Sequence, residues 1–107
     1  MNTTVNSDVI TIRVSEDIQA GLAVNFAGGI AKTEKALGIC IADTDSGDVA
    51  PVKVLGACFV STGAAIKKGD KLVADASGKM IKATAETYYE GYALEDGTNS
   101  TVMIRGI

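Results

Sequence analysis

The chain has 107 residues, 47% of them hydrophobic, with 13 acidic against 10 basic side chains and no histidine. That length buries enough surface for one core and too little for two, so one domain is expected, and the net charge of −3 argues against the concentrated basic face that phosphate binding needs. Twelve glycines against a single proline, Pro51, point to many tight turns rather than a disordered proline-rich tail.

The first eight residues, "MNTTVNSD", are polar and lack a hydrophobic period. They read either as a frayed tail or as an arm that orders on a partner by strand addition, with Val5 as the apolar anchor and Thr3, Thr4 and Asn6 beside it. They also lack the basic start and apolar run of an export signal, and no stretch of the chain is long and apolar enough for a membrane helix. Neither export nor membrane contact is expected.

The domain proper is expected over 9–107. In "VITIRV", Ile10, Ile12 and Val14 alternate with Thr11 and Arg13, the period-two pattern of a half-buried strand. "DIQAGLAVNFAGGIAK" follows: Gly21 suits a tight turn, Leu22, Val24 and Phe26 fall on one strand face, and "AGG" reverses the chain. "GICIAD" and "APVKVLG" then form a hairpin across "TDSGDV". "GACFVSTG" restarts the plan. "AIKKGDKLVADASGKMIK" repeats the order isoleucine, turn glycine, valine, glycine turn, isoleucine, lysine, with Ile18 over Ile66, Gly21 over Gly69, Val24 over Val73 and Ile30 over Ile81. "YEGYALEDGTNSTVMIRG" continues it, with Gly38 over Gly91 and Asp43 over Asp96. The expected fold is therefore all-β, a small sandwich or barrel of two similar halves, 9–56 and 57–107. "KTEKALG" and "TAETYYEG" are too short to stand as helices alone.

Candidate chemistry is sparse. Without histidine there is no Ser-His or Cys-His pair, and Ser61 and Thr62 approach Lys67 and Lys68 in sequence only. Cys40 and Cys58 sit among strand-forming apolar residues, where two reduced, buried thiols are the favoured reading over a disulfide. "ADTDSGD" partly resembles a calcium loop through Asp43, Asp45 and Asp48, but its glycine comes one position early and Val54 stands where the closing glutamate belongs. Turn acids are the better reading. "SGKMIKA" invites comparison with biotinyl and lipoyl carrier hairpins, which would make Lys79 or Lys82 an attachment point. The flanking residues do not fit, and exposed edge lysines are the plainer account. No catalytic residue, metal or cofactor is expected.

The segments "AAIKKGDKLVADASGKMIKAT" and "YEGYALEDGTNSTVMIRGI" resemble the decoration or cement proteins of tailed-phage capsids: an Ala-Ile turn, Gly-Asp, a strand, Asp-x-x-Gly, a strand, Ala-Thr, then Gly-x-Ala-Leu and a closing Val-x-Ile-x-Gly strand. The resemblance spans about Val9 to Ile107. It implies a non-enzymatic protein, often a homotrimer, made in the host cytoplasm and bound to the outside of the expanded head, where it clamps major capsid subunits. A small ligand-binding or carrier β module is the alternative. "ETYYEG" is more aromatic than the family pattern, so Tyr88, Tyr89 and Tyr92 are either core filler or a subunit contact.

Overall fold

The computed structural model describes residues 9–54, 57–84, 89–98 and 101–105. Among them there is no helix. Four strands, β1 (Val9–Arg13), β2 (Ala23–Val24), β3 (Gly38–Cys40) and β4 (Val49–Lys53), form an antiparallel sheet in the order β1-β4-β3-β2. Behind them come β5 (Ala57–Ser61), β6 (Ala65–Ile66), β7 (Lys71–Ala74), β8 (Met80–Lys82), β9 (Gly91–Ala93), β10 (Gly97–Thr98) and β11 (Thr101–Arg105). They give a five-stranded sheet, β5-β11-β9-β7-β8, and the pair β10-β6. The all-β fold of two similar halves is thus present: the order β1-β4-β3-β2 of the first half is matched by β5-β11-β9-β7 in the second, where β8 adds a further strand beside β7.

The likeness extends to single hydrogen bonds. Gly21 and Gly69, with φ of 94° and 90°, each occupy the left-handed position of a four-residue turn, closed from Leu22 N–H to Gln19 C=O and from Asp70 N–H to Lys67 C=O. Gly21 then donates to Cys40 C=O and Gly69 to Ala93 C=O, both at 2.8 Å. The isolated bridge Ile18–Thr44 is the counterpart of the Ile66–Gly97 pair. In each half an asparagine or aspartate side chain turns the next hairpin. Asn25 Oδ1 accepts the amides of Ala27 and Gly29, and Asp75 Oδ1 those of Ser77 and Lys79. Such side-chain acceptors replace backbone partners that a tight turn cannot supply.

Two details differ from the sequence reading. β2 is only two residues long, so the alternation of Leu22, Val24 and Phe26 ends early; Ala23 and Val24 are both buried while Phe26 lies in the turn, 74% exposed. The repeat is also out of step in its middle. Val24 opposes Ile30 as Ala74 opposes Met80, whereas Val24 opposes Gly38 as Leu72 opposes Gly91. The second hairpin's first arm is longer, and the sequence alignment of Val24 with Val73 and Ile30 with Ile81 splits this difference. Apolar residues on both faces leave the register unmarked.

Two apolar clusters hold the molecule together. One unites the halves, with Ala23, Ala31, Ala36 and Ile39 from the first against Val60, Ile66, Leu72, Ala74, Met80 and Ala93 from the second. The other lies wholly within the first half, around Val14, Ile18, Val24, Cys40, Ala50 and Val52. Alternate residues of β2 and β3 therefore serve different cores: Ala23 and Ile39 face the second half, Val24 and Cys40 face their own. Polar links run across the same junction. Ala23 N–H donates to Gly78 C=O at 2.9 Å, Ser61 N–H to Gly21 C=O at 3.0 Å, and the Glu90 carboxylate, fully buried, accepts from Lys35 Nζ at 2.7 Å and Ala36 N–H at 2.8 Å.

Candidate interaction site

Of the residues singled out for partner contact, Thr3, Thr4, Val5, Asn6 and Tyr88 lie outside the described residues. Tyr89 is described. It is 40% exposed, with its ring edge-on to Tyr92 at 5.3 Å between centroids and Lys71 Nζ 5.1 Å above it. The Tyr92 hydroxyl reaches the Tyr89 hydroxyl at 3.4 Å. A ring in contact with both another ring and an ammonium is held in orientation while part of its surface stays in solvent. This is a surface cluster on the second sheet, where Lys71 of β7 pairs with Tyr92 of β9, and Tyr89 is not core filler.

The residues weighed for chemistry are occupied structurally. Asp43 Oδ1 accepts the amide of Ala20 at 2.8 Å and Asp96 Oδ1 that of Lys68 at 2.7 Å, so this repeated acid braces the turn that holds Gly21 or Gly69. Asp45 begins a turn that Asp48 closes through its amide, around Gly47 with φ of 90°. Among the described residues no three cysteine or carboxylate groups gather as metal ligands. In the lysine hairpin, Met80 is fully buried and Lys79 donates its amide to Asp75, which ties the segment compared with carrier hairpins into the core and the turn.

The thiols face different ways. Cys40 is buried, in the first half's own core, and its Sγ donates to Ala42 C=O at 3.0 Å. Cys58 is half-buried, packs against the core between the halves, and both are free. Burial pushes the Cys58 thiol up from 9.0 to about 11, with nearby Lys53 pulling it partly back. The neutral thiol is therefore favoured by folding, and this contribution to stability is lost as pH rises from about 9 to about 11. Alkylation of Cys58 by iodoacetamide is expected to accelerate up to about pH 11 rather than level off near 9. A rate that levels off near pH 9, followed by mass spectrometry of the Cys58 peptide, would contradict this environment.

Both thiols line a cleft of about 420 Å³ between the halves, bounded by β5 on one side and on the other by Val9, Ala20, Ile41 and Lys53. Its walls are mostly apolar, and Phe59 and Ile41 stand there with 54% and 44% of their surfaces exposed. The sequence reading missed this feature, as it missed Glu90. For Glu90 a signal existed: its amide bonds Leu72 C=O as that of Leu37 bonds Val24 C=O, so an acid stands at an apolar position of the repeat.

No curated protein sequence matches the chain. Among solved structures, the chain is similar to the head fiber gp8.5 N base of bacteriophage phi29, with a TM-score of 0.76 and 23% identity over 90% of each chain, which establishes a shared fold. A duplicated β scaffold, braced at its turns by acids and showing no described cluster for a metal, is matched from residue 4 to residue 106 by the family model for phage cement proteins, and the chain belongs to that family.

Proposed function

We propose that this phage structural protein binds the outer surface of the expanded head and stabilises it by bridging major capsid subunits, acting as a homotrimer and without catalysis. The observation that carries this reading is the family match over residues 4–106. The head-fiber base of phage phi29, similar in fold, is a second head-associated protein built on this scaffold.

The physical basis is linkage. A protein that binds the expanded shell and not its precursor lowers the free energy of the expanded shell by its own binding free energy at every site. Repetition over a closed shell multiplies a modest affinity into a large total. A net charge of −3 offers packaged nucleic acid no basic face to hold, which is compatible with a chain that binds protein instead. Many turns closed by side-chain acceptors suit a plug that must keep its shape under load.

Purified protein mixed with expanded heads lacking it is expected to sediment with them at a saturable ratio, and to remain in the supernatant with unexpanded precursors. Protein that stays in the supernatant with both would overturn the reading. Sedimentation velocity of the free protein tests the trimer.

A further inference from the structure

The two halves carry the same turn with opposite charge on it. In the first half the turn 19–22 is closed from Leu22 N–H to Gln19 C=O, flanked by the bridge Ile18–Thr44 and braced by Asp43. In the second half the turn 67–70 is flanked by the pair Ile66–Gly97 and braced by Asp96. The repeat puts Lys67 where the first half has Gln19, Lys68 where it has Ala20, and Thr98 where it has Asp45. One backbone plan thus presents an acidic surface and a basic one.

Neither charge is answered within the chain. Asp17, Asp43 and Asp45 are exposed and line a hollow of about 230 Å³. The antiparallel bridge Ile18–Thr44 sets Asp17 opposite Asp45, and like charges held opposite each other favour a cation between them. Asp17 and Asp43 each turn one oxygen onto a backbone amide, of Ser46 and of Ala20, and no described lysine or arginine bonds to any of the three. All ten lysines and arginines of the chain fall within the described residues, so its other segments bring no basic side chain to cover them. Lys67 and Lys68 are exposed, and neither ammonium has a partner among the described residues. The acids beside them are turned onto the backbone: Asp70 accepts the amide of Lys67 at 2.9 Å and Asp96 that of Lys68 at 2.7 Å.

We infer that the acidic surface of one copy receives the basic surface of a second copy, with Lys67 and Lys68 entering beside Asp17, Asp43 and Asp45. Two equivalent surfaces that held two identical capsid subunits would be alike in charge. These are opposite in sign and match each other instead. Because every copy carries both, the contact is heterologous and joins copies head to tail, as the closure of a cyclic trimer requires. The inference rests on the homotrimer reading and adds to it the contact that builds the ring.

The test is sedimentation velocity of the full chain over a concentration series. Lys67→Glu together with Lys68→Glu is expected to raise the concentration at which the trimer dissociates about tenfold, since two attractions become repulsions. Asp45→Lys is expected to raise it about threefold in the wild-type background and to lower it about threefold in the Lys67→Glu, Lys68→Glu background. That reversal of sign is what a purely structural role of Asp45 would not produce. Melting midpoints are expected to stay at the wild-type value, because none of these three side chains makes a described bond within the fold. A trimer unmoved by the substitutions, or an Asp45→Lys effect of one sign in both backgrounds, overturns the inference and leaves the homotrimer reading standing. A monomeric wild type removes both. A variant that stays trimeric but no longer sediments with expanded heads assigns these surfaces to the capsid and overturns the inference as well. If a variant melts lower, carbodiimide coupling of the wild-type trimer decides, on mixed labelled and isotopically unlabelled chains. An amide from Lys67 or Lys68 to Asp17, Asp43 or Asp45 that joins a labelled to an unlabelled chain is expected, and its absence overturns the inference.

Discussion

Glu90→Ala is expected to destabilise the protein by about 3 kcal/mol, because it removes the acceptor of a buried amide and leaves a void at the junction of the halves. The carboxylate is fully buried, with Lys35 on one oxygen and the amide of Ala36 on the other. The two contacts are unequal. Lys35 keeps 46% of its side chain in solvent and regains hydration when its partner is lost, so the ion pair itself contributes little. Ala36 is 2% exposed, and its N–H has no such recourse. Glu90→Gln preserves an oxygen for that amide and is expected to cost only about 1 kcal/mol. For a chain of this size a loss of about 3 kcal/mol lowers Tm by roughly 10–20 °C, which a thermal melt resolves easily. Equal melting of Glu90→Ala and wild type would show that the buried carboxylate adds nothing to the junction of the halves.

What the sequence made legible is what local chemistry decides. Gly21 and Gly69 announce tight turns because few other residues adopt that backbone cheaply, and the repeated Asp43 and Asp96 mark the amides those turns expose. The strand β1 is likewise readable, since Ile10, Ile12 and Val14 turn inward while Thr11 and Arg13 stay exposed. Where both faces of a strand are covered, the pattern disappears. Ala23 and Val24 serve two different cores, so nothing in their polarity says that the strand ends at Val24 and that Phe26 belongs to the turn. The cleft was hidden for a different reason. Val9, Ile41 and Lys53 come from separate strands or their ends that meet only through the pairing of the first sheet, and the packing of the second half adds Phe59 to the same rim. Glu90 combines both problems: a charged residue at an apolar repeat position is visible, but its partner Lys35 is known only once the halves are docked.

Gly28→Ala should be the more damaging of two alanine substitutions at glycines that share the same backbone strain, the other being Gly69→Ala. Gly28 has φ of 91° and Gly69 φ of 90°, so a side chain at either position meets a left-handed penalty of about 1–2 kcal/mol. Their surroundings differ. A Cβ at Gly69 meets no atom within 4 Å, whereas at Gly28 it would lie 2.5 Å from the carbonyl oxygen of Arg13. That oxygen belongs to the backbone at the end of β1, where Ser15 N–H is tied to Gly28 C=O at 2.9 Å and Val14 N–H to Asp48 C=O at 3.0 Å, so it has little freedom to withdraw. Relieving the overlap requires moving either β1 or the β2 turn, a further cost of about 1–3 kcal/mol. The total for Gly28→Ala is then about 2–5 kcal/mol, against about 1–2 kcal/mol for Gly69→Ala, read from denaturant midpoints at constant slope. Similar losses at the two positions would mean that the close passage of the β2 turn over β1 is not a fixed contact of the fold. A larger loss at Gly28 would establish that these two turn glycines do different work: Gly69 only reverses the chain, while Gly28 also lets two backbones touch.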